Sequence, residues 1–315
     1  MKNKYMFVLV LLLSILVVSF GFTNIYVSQH QQTEDEDFVV VTSFYPMYIA
    51  TMNVIGDTEG VTLKNLSEPQ TGCLHDFQLT PADMKLLSTA DVFVINGGGI
   101  ESFMEDIAKQ YPDLVVIEAC EGIELLCEED AHGHEHEEAS HEDHNHDVNA
   151  HAWMSVANYR KQVENIASGL AKKAPNMSER FLANAGAYDR KLEALQVEQE
   201  AFLTLTQGKE AIMFHSAYEY VAEDLGLEVA FCMDLDEERQ VSAGEVAEVL
   251  EVIQHHGVKY IFAEALYGTD MCEMVHKEAD VEVIYLDPLN RGEYEADSYI
   301  EGMRNNLKLI GEVFR

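Results

Sequence analysis

Four residues spread through the chain carry side chains that together could hold a divalent metal ion: His75, His151, His215 and Asp287. Taken singly, each has a plainer explanation. A histidine at a strand end is commonly a hydrogen-bonded structural residue, and an aspartate before Pro288 can be a turn residue. The intervals of 76, 64 and 72 residues form no local metal motif. Any such site must therefore be assembled by the fold and not by one loop or helix.

The elements that would position these residues alternate between strand and helix. Phe38 to Thr42 and Val61 to Asn65 read as strands, with a helix from Tyr45 to Val54 between them. Thr80-Pro81-Ala82-Asp83 is a helix start, with Thr as cap and Pro at the first helical position; that helix is expected to end near Thr89. A buried strand over Asp91 to Asn96, a helix from Ile100 to Gln110 and a strand over Leu114 to Glu118 follow. After an interruption, helices over Val156 to Lys173 and Ser178 to Leu205 are separated by Pro175. The second is long enough to connect two lobes. Strands then recur at Ala211 to Phe214, Glu228 to Met233, Val258 to Phe262 and Val281 to Leu286. Helices fall at Ala217 to Asp224, Ala243 to His256, Asp270 to Glu278 and Ser298 to Val313. Such alternation predicts an α/β fold with parallel, doubly wound sheets. Ligands in such folds sit beyond the carboxyl ends of strands. His215 directly follows one predicted strand, Asp287 directly follows another, and His75 lies in the loop after a third.

The motifs around these residues resemble one family in unbroken order. Gly72-Cys73-Leu74-His75-Asp76-Phe77-Gln78-Leu79-Thr80-Pro81 is similar to the PHDYEPTPSD segment of the zinc and manganese solute-binding proteins of ABC metal importers, the ZnuA-like (cluster A-I) family. Asn149-Ala150-His151-Ala152-Trp153 resembles its DPHxW, His215-Ser216-Ala217-Tyr218-Glu219-Tyr220 its HDAFGY, Ile261-Phe262-Ala263-Glu264 its IFxE, and Leu286-Asp287-Pro288-Leu289 its LDPL. The resemblance covers roughly residues 38 to 315. It implies two βα lobes with parallel-rich sheets joined by one long helix: 38–177, a connector at 178–206, and 207–315. It places the metal in the interlobe cleft on His75, His151, His215 and Asp287, with Glu264 orienting a ligand. His at the third position favours Zn²⁺ over Mn²⁺, in agreement with ligand softness. Three imidazoles and one carboxylate around Zn²⁺ leave a net charge of +1 and no open position for water. Departures from the pattern are Leu74 for Pro, Asn149 and Ala150 for Asp-Pro, Ser216 for Asp and Glu219 for Gly. These departures could loosen the outer contacts of His151 and His215. Cys73 is close enough in sequence to approach the ion, but the family gives no precedent for that.

Residues 128–147 are almost wholly His, Glu, Asp and small residues and cannot bury an apolar face. Their histidines, His132, His134, His136, His141, His144 and His146, are expected to form weak auxiliary zinc sites, the alternative being a solvated acidic linker. Elsewhere, His255 and His256 end a helix, where a cation suits the dipole.

The wider composition bounds the partners. Lys and Arg number 20 against 56 Asp and Glu, a formal charge of −36, which disfavours nucleic acid and anionic surfaces. Lys2 and Lys4 precede an apolar run to about Val27. Residues 1–27 therefore read as a signal peptide or uncleaved signal anchor, with 28–37 as a polar tether. Membrane association through this segment and an extracytoplasmic body follow. No Cys lies in or just after the run, so a lipid-anchored cysteine is not expected. The five cysteines include Cys120 and Cys127, which either close a small loop or stay reduced.

The expected role is capture of Zn²⁺ by a monomer that serves an ABC permease and its cytoplasmic ATPase. This chain has no phosphate-binding G-x-x-x-x-G-K-[ST] motif of its own. A manganese-type subunit and a surface zinc buffer or adhesin are the alternatives. A zinc hydrolase is disfavoured, because it needs an open coordination position and a base.

Overall fold

The computed structural model describes residues 37–74, 77–127, 148–233, 235 and 241–314. Among these residues the predicted α/β alternation is present as two four-stranded sheets. The first contains β1 (Phe38–Thr42), β2 (Val61–Asn65), β3 (Val92–Ile95) and β4 (Val115–Glu118). The second contains β5 (Glu210–Met213), β6 (Glu228–Cys232), β7 (Tyr260–Ala263) and β8 (Glu282–Tyr285). The strand orders are β2-β1-β3-β4 and β6-β5-β7-β8. β3 runs parallel to β1 and β4, and β5, β6, β7 and β8 are parallel to their neighbours. The two sheets therefore repeat one topology. In each, the strand order reverses between the first and third strands, which opens a crevice at their carboxyl ends.

The strands form where β-branched and aromatic residues can be covered on both faces. All four residues of β3 are buried. Behind the second sheet, Ile212, Phe214, Val249, Ile253, Ile261, Met271 and Val275 form one apolar cluster. The helices are α1 (Tyr45–Ile55), α2 (Pro81–Leu87), α3 (Met104–Gln110), α4 (Val156–Lys173), α5 (Ser178–Glu200), α6 (Leu203–Thr206), α7 (Ala217–Asp224), α8 (Ala243–His256), α9 (Thr269–Glu278) and α10 (Ser298–Val313). α2 starts where expected: Thr80 and Asp83 form a reciprocal capping box. This satisfies two amide donors that the first turn would otherwise leave open.

α5 packs on α4, α1 and α10, so it touches helices from both halves of the chain. Asn184 on α5 donates to the last carbonyls of α1, at Val54 and Ile55 (3.2 and 2.9 Å). Lys191 pairs with Asp297 (2.7 Å), and Arg304 on α10 makes a two-pronged contact with Glu198. At about 1.5 Å per residue α5 is about 34 Å long, enough to lie along both sheets.

Two expected helices are shorter than their periodicity suggests. The long connector breaks after Glu200 because Phe202 turns inward onto Gly311 of α10, where an added Cβ would fall 2.6 Å from the ring. The helix expected from Ile100 begins at Met104 because Glu101 points into the core. One Glu101 oxygen accepts from the Asn96 amide and the Ser43 hydroxyl (both 2.8 Å); the other accepts from the Gly97 amide (3.0 Å). The five cysteines form no disulfide. Cys120 is buried against Gln162, and Cys127 sits in an isolated bridge to Val148.

Burial pushes the Glu101 carboxyl up to about 7 in spite of its three donors. A carboxyl that holds its proton more tightly when folded stabilises fully below its unfolded pKa, here about 4.5. That contribution is lost as pH rises through about 7. Thermal melts at pH 5 and pH 8 should therefore show a larger loss of stability in the parent than in Glu101→Gln, the difference being at most about 3 kcal/mol. Equal losses would show that Glu101 is not the titrating group.

Candidate metal centre

His151, His215 and Cys73 are brought together beyond the strand ends. His215 stands two residues past β5 and is fully buried. His151 precedes a single 3₁₀ turn at Ala152–Met154 and is 1% exposed. Their rings approach edge to face with centroids 5.0 Å apart. Cys73, half-buried in the loop after β2, places its sulfur 3.5 Å from His151 Nε2. One ligand atom from each of these three residues lies within 4.8 Å of the other two.

The hydrogen bonds around His151 define its tautomer. Asn149 uses its amide nitrogen to donate to the Ser216 carbonyl and to Glu219 Oε2, both at 2.8 Å. Its oxygen is thereby turned to accept from the His151 backbone amide (3.0 Å) and from His151 Nδ1 (2.9 Å). Nδ1 is the protonated nitrogen, and Nε2 keeps the lone pair that faces Cys73. The Tyr220 hydroxyl fixes the same segment by donating to the Asn149 carbonyl at 2.7 Å. The departures from the family pattern at Asn149 and Glu219 thus fit one another. An amide replaces the carboxylate at 149, and a carboxylate at 219 takes up its donor. The outer contacts of His151 are not loosened.

His215 is held from the other side, its Nδ1 accepting the Ala217 amide at 3.0 Å. Its Nε2 faces Glu264 Oε2 at 3.9 Å, and Glu264 in turn lies 3.4 Å from the Arg291 guanidinium. Glu264 stands one residue past β7, beside His215.

Asp287 stands two residues past β8, in a tightly fixed loop. Asn306 of α10 donates to the Asp287 carbonyl (2.8 Å) and accepts from its amide (2.9 Å). The Asp287 carboxylate accepts the Leu289 amide at 2.8 Å. Leu289 adopts φ 54°, a left-handed conformation that costs glycine little but a leucine appreciably. Gly302 leaves room for it: a Cβ there would come within 2.5 Å of the Leu289 side chain. Burial raises the Asp287 pKa, against the lowering effects of the Leu289 amide and Arg291. Asp287 is not a member of the convergent three-residue group.

Trp153 ties the two loops together. Its indole N–H donates to the Pro288 carbonyl at 2.8 Å, and its own carbonyl accepts the Tyr299 hydroxyl at 2.7 Å. Beyond Asp287 the chain reaches toward α1 and the end of β2. Tyr294 stacks on Tyr48 with centroids 3.9 Å apart and accepts from Asn65 Nδ2 at 2.9 Å, while the Tyr45 hydroxyl donates to the Glu293 carbonyl.

Of the residues expected from sequence, the fold brings His151, His215 and Glu264 together and places Asp287 on a neighbouring loop. His75 lies outside the described residues, as do His132, His134, His136, His141, His144 and His146, and residues 1–36 with the expected signal or anchor. No helix among the described residues is long and apolar enough to cross a membrane. Cys73 and Asn149 are the site residues that the sequence motifs underweighted. For Cys73 the available signal was its position two residues before a histidine.

Residues 40–313 match the family model described as zinc-uptake complex component A, periplasmic, and the chain belongs to that family. Among curated relatives, the zinc-binding protein AdcA of Streptococcus pyogenes serotype M3 is 32% identical over 98% of this chain. The match takes in 61% of that relative's length, so the chain spans about three-fifths of it. Among solved structures, Zn(II)-bound AdcA from Streptococcus pneumoniae is 26% identical with a TM-score of 0.71, covering 88% of this chain and 58% of that one. FpvC from Pseudomonas aeruginosa in complex with Mn²⁺ is 26% identical with a TM-score of 0.74, covering 87% and 97%.

Because the chain has one tryptophan and its ring centroid lies 5.1 Å from that of His151, intrinsic fluorescence reports on this centre. Titrating Zn²⁺ into the parent should change the Trp153 signal with a sharp end point. Asn149→Leu should shift the midpoint by about 10- to 100-fold, the cost of losing an outer partner of a ligating histidine. An unchanged midpoint would show that Asn149 does not position His151.

Proposed function

We propose that this chain is the extracytoplasmic subunit that captures Zn²⁺ for an ABC importer. It would work as a monomer and hand the ion to a membrane permease served by a cytoplasmic ATPase. One observation carries this reading. Two fully enclosed imidazoles, His151 and His215, face one another beyond the strand ends, each with its Nδ1 hydrogen-bonded. One ligand atom of each ring and the Cys73 sulfur lie within 4.8 Å of one another, a spacing at which one divalent cation can be shared. His75 and Asp287 complete the set suggested by the family motifs, and the lobes are those set out above, 38–177 and 207–315 about the connector at 178–206. The metal is cargo here, and nothing in the role asks the chain to activate water or make a covalent intermediate.

Zinc is favoured over manganese because an imidazole-rich set suits the softer ion, whereas manganese prefers carboxylate and carbonyl oxygens. The Mn²⁺ complex of FpvC, similar in fold and at 26% identity, supports the second reading, a manganese-type subunit. A periplasmic or cell-surface location, with attachment through residues 1–27, follows from the signal-like N-terminus and from the family description. The His/acidic segment at 128–147 would gather zinc weakly without forming the main site.

Competition binding on the parent and on His215→Ala tests the reading. The parent should bind one Zn²⁺ tightly and prefer it to Mn²⁺, and the variant should lose affinity by orders of magnitude. Preference for Mn²⁺ would defeat the zinc assignment, and unchanged Zn²⁺ affinity in the variant would defeat the site. Deleting residues 130–147 should leave the tight site intact. Loss of tight binding on that deletion would move the main site into the segment.

A further inference from the structure

We propose that the thiolate of Cys73 is itself a ligand of the ion held by His151 and His215, and that it supplies the anionic donor of the shell. The inference rests on the metal-capture reading above and changes the composition of its site. Three observations support it. First, the distances suit zinc. With Zn–S of about 2.3 Å and Zn–N of about 2.0–2.1 Å, a tetrahedral ion separates a sulfur from a nitrogen ligand by about 3.5 Å. Cys73 Sγ lies 3.5 Å from His151 Nε2. Second, the three donors converge: Cys73, His151 and His215 each offer an atom within 4.8 Å of the other two. Among the described residues, the Asp287 carboxylate does not join that group and is engaged by the Leu289 amide at 2.8 Å.

Third, the sulfur has an outer partner of the kind that ligands have. Asn290, 2% exposed, donates its amide N–H to Cys73 Sγ at 3.0 Å. Arg291 Nε donates to the Asn290 oxygen at 3.2 Å, which fixes the amide with its donor end toward the sulfur. Guanidinium, amide and sulfur thus form a chain of donors aimed at an atom that becomes negative when it ligates. By contrast, the buried Cys120 and Cys272 thiols are pushed up to about 12 by burial, and neither belongs to a group of metal-ligating residues among the described residues.

The step balances simply. The Cys73 S–H bond gives way to an S–Zn bond, and the proton leaves to water. A thiolate is softer than a carboxylate, so Cys73 sharpens selection of zinc over manganese.

The test uses the full chain loaded with Co²⁺ alone, whose sulfur-to-metal charge-transfer absorption in the near ultraviolet reports thiolate ligation directly. The parent should show this band saturating at one ion per chain. Cys73→Ser, which keeps an acceptor for Asn290, should lose the band, and Cys232→Ser should retain it. Zn²⁺ should slow alkylation of Cys73, and Cys73→Ser should weaken Zn²⁺ by about tenfold or more while narrowing its advantage over Mn²⁺. One Co²⁺ bound per chain in a His215-dependent manner, with no charge-transfer band, would overturn the role of Cys73 and leave the capture reading standing. Absence of stoichiometric binding in the parent would overturn both.

Discussion

The whole arrangement depends on two imidazoles held face to edge inside the protein, 64 residues apart in sequence. Ring nitrogens taken out of water must find partners or cost several kcal/mol. The chain meets this constraint with fixed groups on the Nδ1 side of each ring. For His151 the partner is the Asn149 oxygen, and for His215 the Ala217 amide. The two arrangements differ chemically, since one ring donates through Nδ1 and the other accepts. His151 thereby keeps its Nε2 lone pair beside Cys73, whereas His215 carries its proton on Nε2 toward Glu264; to ligate through Nε2, His215 must move that proton to Nδ1 and give up the Ala217 contact.

The fold supplies that common ground twice over. Each sheet has its strand reversal between its first and third strands, so each opens a crevice at its carboxyl edge. In the second sheet the crevice carries His215 after β5 and Glu264 after β7. In the first, the corresponding ends carry Ser43 after β1 and Asn96 after β3, joined through buried Glu101. The two halves use the same position differently, one for the polar side chains of His215 and Glu264 and one for a closed hydrogen-bond network. Trp153, Tyr294 and α5 hold the halves in register, through the Pro288 carbonyl, the stack on Tyr48 and the contacts of α5 with α1 and α10.

Much of this was readable from residue type and spacing. Strand ends at Phe214 and Leu286 announced His215 and Asp287, and Thr80-Pro81 with Asp83 announced the start of α2. These signals are local, depending on period, capping chemistry and the carboxyl-end rule. What was not readable depends on contacts between distant segments. The helix expected at Ile100 gave way because Glu101 found three donors in the core, which no helix propensity reports. The connector broke at Phe202 because a glycine on α10 admitted its ring. The exchange between Asn149 and Glu219 looked like two separate departures from a motif until their 2.8 Å contact showed them to be one. Cys73 was legible as a residue near a histidine, but its approach to His151 is set by loop geometry, for which the sequence offers no period.

The account stands on a single ion sharing His151 and His215. Zinc-edge anomalous diffraction from crystals of the full chain grown with one equivalent of Zn²⁺ measures this directly. The account predicts one strong peak within about 2.0–2.1 Å of a ring nitrogen from each histidine. A peak bound by neither ring, with both imidazoles keeping only their protein partners, would contradict it.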